Sequence, residues 1–179
     1  MHDLTRLPNK LDPKTYECRA IIETPSGCRS KYDYDVKTRL FRLKSVLPDG
    51  MNFPVDFGFI PSTLAEDGDP EDIMVLTDEP SATGALLDTR LIGVIEIEET
   101  EKGKTERNDR IVAVAAISHL YAKIHELTDL GTDYTDNLAR FWVNKNELEG
   151  KQVRVLGLKG PRQAVKLIEK AQSAAKKAA

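Results

Sequence analysis

The sequence predicts an α+β domain, a β-barrel or sheet with helices packed against it. Three observations carry this expectation. Short β-branched and aromatic segments recur through most of the chain, turn residues separate them, and helical periodicity enters only near the C-terminus. No internal repeat and no linker divides the 179 residues, so 1–179 reads as a single domain.

The elements follow in order. Residues 16–24, "YECRAIIET", are β-branched and end at Pro25-Ser26-Gly27, a turn signal. Residues 30–36, "SKYDYDV", alternate, which puts Lys31, Asp33 and Asp35 on one face and Tyr32 and Tyr34 on the other. A third strand is expected over 39–47, stopped by Pro48-Asp49-Gly50, and "FPVDFGFIP" at 53–61 is aromatic and bounded by prolines. "DIMVLTD" (72–78) is strongly apolar, and 89–99 and 110–117 are β-rich again. The charged "TEKGKTERND" between them, 100–109, reads as an exposed loop. Over 135–150, Leu138, Phe141, Trp142 and Leu148 recur at near-helical spacing before Gly150. A last strand at 152–158 precedes a helix with Pro161 at its start and an apolar stripe of Val165, Leu167, Ile168 and Ala171. Its lysine-rich tail suits the negative end of the helix dipole.

Composition excludes several function classes. A formal net charge of -3 argues against a nucleic-acid or anionic-membrane partner. The N-terminus lacks an apolar signal-peptide core, and no apolar run approaches a membrane span, so a cytoplasmic protein is expected. Cys18 and Cys28 lack the companions of a zinc site and read as reduced thiols. His2, His119 and His125 do not form a metal set, since His119 and His125 lie off the i, i+4 spacing of two helix ligands. Trp142 beside Phe141 reads as core packing. The absence of GxxxxGK[ST] argues against a P-loop enzyme.

The acidic loop needs an account of its own. "AEDGDPED" crowds Glu66, Asp67, Asp69 and Asp72 at the lip of an apolar strand. Gly68 permits a positive φ, and Pro70 fixes its own φ and removes a donor, so the carboxylates are held close in a stiff turn. Three aspartates at D-x-D-x-x-D spacing suit a hard divalent cation such as Mg²⁺, and the pattern is not an EF-hand. A well-solvated turn is the alternative. Lys31 beside Asp33, Glu23 and Glu99 at expected strand ends, and Arg110 at a strand start favour the metal reading, because mixed acids and bases collect ions and phosphate oxygens together.

"FPVDFGFIPSTLAEDGDPEDIMVL" resembles the core of family I soluble inorganic pyrophosphatases, where a YPxNYGFIPxT-type strand leads into a GDPxDVLVL segment. "IIETPSGCRSKYDYD", "LIGVIEIEETEKGKTERNDRIVAVA" and "FWVNKNELEGKQVRVLGLKGPRQAVKLIEKA" are similar to further family segments, so the resemblance covers about Tyr16 to Ala171. It implies an OB-like five-stranded β-barrel with peripheral helices and hydrolysis of inorganic pyrophosphate with Mg²⁺ (Mn²⁺ as an alternative ion). It also implies a homo-oligomer, a hexamer in bacterial members of this length. Asp67, Asp69 and Asp72 match the family's metal-binding aspartates, and Asp69 matches the acceptor of a proton from the attacking water. Glu23 matches an acid at the metal site and Lys31 a phosphate-contacting lysine, while Glu99-Thr100 stands for an Asp-Glu pair of the metal side and Arg110 for the lysine of a D-x-K segment on the phosphate side.

The resemblance also has departures. Lys44 stands for a phosphate-gripping arginine, Phe53 and Phe57 for two tyrosines, and Asp33 for a glutamate. Asn108 stands for a metal-ligand aspartate, with Asp109 next door as a substitute ligand, and Lys145-Asn146 stands for a Tyr-Lys pair, keeping a lysine one place away. Two functions are therefore open: Mg²⁺-dependent pyrophosphate hydrolysis, or a relative that acts on another phosphoanhydride or binds metal and phosphate without efficient turnover. Convergence of Lys31, Lys44, Arg110 and Lys145 on one cavity with the aspartates favours the first.

Overall fold

The computed structural model describes residues 3–178. Nine strands form: β1 Glu17–Thr24, β2 Ser30–Asp35, β3 Leu40–Val46, β4 Asp56–Phe59, β5 Asp72–Leu76, β6 Leu86–Glu101, β7 Lys104–Arg107, β8 Arg110–Ala115 and β9 Gln152–Lys159. Two α-helices, α1 Thr132–Leu148 and α2 Pro161–Ala178, follow where the 3.6-residue period appeared. Short 3₁₀ turns at Leu4–Arg6 and Leu127–Leu130 had no sequence signal strong enough to read. His2 lies outside the described residues.

Strands β1, β4, β5, β8 and β6 pair in that order, and β6 pairs back onto β1, which closes a five-stranded ring. Only β5 and β8 run parallel; every other pairing is antiparallel. The fold is thus the expected OB-like α+β barrel. Its apolar runs are continuous because both faces are covered. Met74 and Leu76 of β5 and Val112 and Val114 of β8 pack into a cluster with Phe53, Phe57 and Trp142 of α1. Their neighbours Ile73, Val75, Ile111 and Ala113 pack into a second cluster with Ala164 and Ile168 of α2.

β6 is long because it serves two neighbourhoods. Its first half pairs with β1 and β8, its second half with β9 and β7, and the register shifts between Leu91 and Gly93. Gly93 takes φ +156°, and a Cβ there would meet Lys159 O at 2.3 Å. The stretch 100–109 is therefore no simple loop. β6 runs on to Glu101 and turns into β7 through Lys102 and Gly103, both at positive φ (51° and 80°), a conformation that suits the twist of a two-residue hairpin. Charge hid this hairpin in the sequence, because an exposed ribbon needs no apolar alternation. Helix α1 begins three residues earlier than its apolar spacing indicates, and Leu148 is 64% exposed, so the last turn leaves the core.

Among the described glycines, Gly58 leaves the least room for a side chain. A Cβ there would lie 1.9 Å from Ile21 O on the neighbouring strand, and no side-chain motion relieves a clash with backbone. Gly58→Ala is expected to lower unfolding free energy by about 2 kcal/mol or more in urea titration. A second test concerns the segment after β8, anchored by Asp78. Its carboxylate accepts from the Ser118 hydroxyl and from the His119 and Leu120 amides (2.9 and 3.2 Å), which pulls its pKa down to about 2. A depressed folded pKa gives stability that is present above the ordinary aspartate value and lost as pH falls through the folded one. Asp78→Asn is therefore expected to melt below the parent at pH 7, with the gap narrowing as pH falls from about 4 toward 2.

Candidate active site

The acidic loop joins β4 to β5. Ala65 N donates to Asp69 O (2.7 Å), Asp69 N donates to Asp67 Oδ1 (3.1 Å), and Gly68 sits at φ +93°. Glu71 N bonds Thr63 Oγ1 (2.9 Å) and Ile60 N bonds Glu71 O (2.9 Å), so the loop is closed at its base. Lys170 of α2 pairs with Glu66 (2.7 Å) on the outside. Asp67 and Asp69 are left exposed and Asp72 half-buried, all facing a cavity of about 410 Å³.

The barrel supplies the other walls. β1 shifts register between Ile22 and Thr24, and Glu23 at this irregularity lines the cavity, buried and accepting from Tyr34 N (2.6 Å). Burial pushes its carboxyl up to about 8, with Asp33 and Asp72 adding like charge. Glu71 rises to about 7 and Asp72 also rises, each chiefly through burial. The β2–β3 ribbon contributes Lys31 and Lys44, which both pair with Asp33; the Lys31 contact is 2.9 Å. Register slips between Lys31 and Tyr32, and Lys31, Asp33 and Tyr34 all reach the cavity, so strict alternation does not hold here.

The far wall comes from β6, β8 and α1. Arg110, 4% exposed, opens β8 and binds Asp72, Asn108 Oδ1 (2.6 Å) and Glu99 Oε1 (3.3 Å). Its guanidinium lies 4.3 Å over the Trp142 ring. Lys145 is buried on α1 beside the same ring (5.9 Å) and pairs with Glu149 (2.8 Å); burial holds its amine below the ordinary lysine value. Lys151 stands 3.5 Å from Glu99 Oε2.

Of the residues singled out in the sequence, Asp67, Asp69, Asp72, Glu23, Glu99, Lys31, Lys44, Arg110 and Lys145 line this one cavity. Asp109 does not. Its carboxylate is taken by Arg107 (2.9 Å) and by Ile97 N (3.0 Å), on the outer side of the loop, while Asn108 faces the cavity. Trp142 is core, and it is also cavity wall. Asn146, Glu149 and Lys151 were not picked out as site residues. Lys151 follows Gly150 with no local pattern to mark it, whereas the pairing of buried Asn146 with Glu99 (2.8 Å) spans 47 residues of sequence. His119 contacts Asp78 and His125 contacts Arg90, both away from the cavity. Cys18 is buried against Thr89 and Cys28 half-buried, both free.

Among the described residues no three acid, histidine or cysteine groups stand close enough together to enclose a metal ion by themselves. The donor set still fits a hard cation. Glu23, Asp67 and Asp69 line the cavity with no ion pair to a cation among the described residues. Mg²⁺ needs only one or two carboxylates, because it keeps several waters and takes substrate phosphate oxygens for the rest.

Comparison with known proteins agrees with this geometry. The model of the inorganic pyrophosphatase family matches residues 20–176. The inorganic pyrophosphatase of Synechocystis is 35% identical over 167 residues, covering 93% of this chain and 95% of its own. That of Nanoarchaeum equitans is 37% identical over 163 residues, covering 90% and 99%. The crystal structure of inorganic pyrophosphatase from Thermus thermophilus superposes with a TM-score of 0.88 at 31% identity, covering 98% of this chain and 99% of that one. With family model, relatives and barrel in agreement over nearly its whole length, the chain belongs to the inorganic pyrophosphatase family.

Proposed function

We infer that this chain hydrolyses inorganic pyrophosphate to two phosphates with divalent cations, Mg²⁺ first and Mn²⁺ as the alternative. The observation that carries the reading is that Lys31, Lys44, Arg110 and Lys145 share one cavity with Asp67, Asp69 and Asp72. Carboxylates alone would repel a polyanion, and cations alone would bind it without recruiting metal. Their combination suits metal-assisted transfer of a phosphoryl group to water.

Asp67, Asp69, Asp72 and Glu23 would hold the ions, with Glu99 behind them. Such ions supply Lewis-acid polarisation of phosphate oxygens and of water. Asp69, exposed and without an ion pair, accepts the proton as water attacks one phosphorus. The bond from that phosphorus to the bridging oxygen breaks, and the second phosphate leaves with the bridging oxygen. Lys31, Lys44, Arg110 and Lys145 neutralise the charge that gathers on the equatorial and leaving oxygens. The reading extends to a cytoplasmic homo-oligomer, six chains by family resemblance. In support, Leu40, Leu43 and Val46 of β3 are each 56% exposed, apolar surface that association would cover. No helix among the described residues is long and apolar enough to cross a membrane.

Phosphate release from pyrophosphate across a Mg²⁺ titration tests the reaction. Metal-dependent release is expected, and Asp69→Asn should reduce it by at least about 100-fold. Equal rates in parent and variant would remove Asp69 from its role, and no release at any Mg²⁺ concentration would leave a protein that binds without turnover. Lys31→Gln and Lys44→Gln should each lower kcat/KM by about tenfold or more, since a charge-assisted hydrogen bond is worth about 1.5–3 kcal/mol. Unchanged kcat/KM in both would place the phosphates elsewhere.

A further inference from the structure

The carboxylates of the cavity divide into two sets. Asp33, Asp72, Glu99 and Glu149 each meet a cation of the protein itself. Glu23, Asp67 and Asp69 meet none among the described residues. Lysines pair Asp33 and Glu149, and Arg110 pairs Asp72 and Glu99. Its two terminal nitrogens reach Asp72 on one side and Glu99 on the other, with the Asn108 carbonyl oxygen between them. Its buried Nε has no acceptor, so the group is not held there by a full set of hydrogen bonds; its charge and its stacking on Trp142 are what the site uses.

The two asparagines fit this arrangement and no carboxylate would. Asn108 turns its oxygen to Arg110 and its Nδ2 to Glu99 Oε1 (3.0 Å). Asn146 Nδ2 reaches the same oxygen at 2.8 Å. With Arg110 Nη2, three donors converge on Glu99 Oε1. An aspartate at 108 would set two carboxylates against each other at hydrogen-bond distance, a repulsion that an added cation would have to offset. Glu99 and Asp72 thus point their oxygens at an organic cation in the way that hard ligands surround a metal ion.

We propose that Arg110 is a built-in cation: it stands where a divalent ion would otherwise bridge Asp72 and Glu99, with Asn108 and Asn146 as the positioning residues that keep Glu99 aimed at it. The proposal rests on the cation-dependent reading above and refines it. Entering ions gather on the Glu23, Asp67 and Asp69 side, with Asp72 shared between them and Arg110, and the chain takes one divalent cation fewer than its carboxylates could hold.

The test counts Mn²⁺ bound per chain without substrate, by electron paramagnetic resonance of the free ion. Arg110→Gln is expected to bind one Mn²⁺ more than the parent, while Arg110→Lys, which keeps the charge, binds the same number. Without Mn²⁺ the glutamine variant should melt below the parent, and Mn²⁺ should raise its Tm more than the parent's. Refolding on Mn²⁺ addition would likewise support the proposal if the ion-free variant does not fold. Equal counts in the glutamine variant and the parent would overturn it, as would an extra ion in the lysine variant or a glutamine variant that stays unfolded with Mn²⁺. Failure of the hydrolase reading is a separate result: the parent then releases no phosphate at any Mg²⁺ concentration, whatever the count.

Discussion

Arg110 and the carboxylates around it are the electrostatic constraint on which the cavity depends. Asp72 ends the acidic loop and starts β5, Glu99 lies in the second half of β6, and Arg110 starts β8, next to both strands in the sheet. Their pairing ties three strands of different sequence position at one end of the barrel. Removing one partner of a buried ion pair costs about 3–5 kcal/mol, because the other charge is left without compensation. The Trp142 ring beneath the guanidinium carries the same constraint into the core, since that ring packs on Phe53, Phe57 and Phe141. Phe53 and Phe57, which lack the hydroxyls of a tyrosine, serve this aromatic floor.

Around that anchor, positive charge comes from elements with different freedom. Arg110 and Lys145 are buried on β8 and α1, and their positions are set by packing. Lys31 and Lys44 ride on the β2–β3 ribbon, which lies outside the ring, and they share Asp33. The Lys44 side chain is exposed and that of Lys31 half-buried. The buried pair must be met where it stands.

Much of this was legible in the sequence. Strand positions followed from β-branched runs and turn residues, and the continuous apolar character of 73–76 and 111–115 reflected burial on both faces. The D-G-D-P-x-D string marked three acids that the structure brings to one cavity, because a stiff turn of close carboxylates has few physical reasons to exist. What escaped was the 100–109 hairpin, whose charged ribbon carries no periodic signal, and the roles of Asn146, Glu149 and Lys151. Those roles depend on α1 folding across the mouth of the barrel, so that residues 47 or more positions from Glu99 meet it.

The sequence by itself determined the fold class, the family and the acid-rich loop, because these reside in local pattern: alternation, turn chemistry and a short motif. Only the tertiary structure decided which of two adjacent residues faces the cavity. Asn108 points in and Asp109 points out to Arg107, a choice made by the path of the short connection between β7 and β8 and not by residue type. It also decided that Arg110 spends its charge on Asp72 and Glu99. The physical reason is that electrostatic pairing depends on distance in space, and in a closed barrel the nearest charges come from strands far apart in the chain.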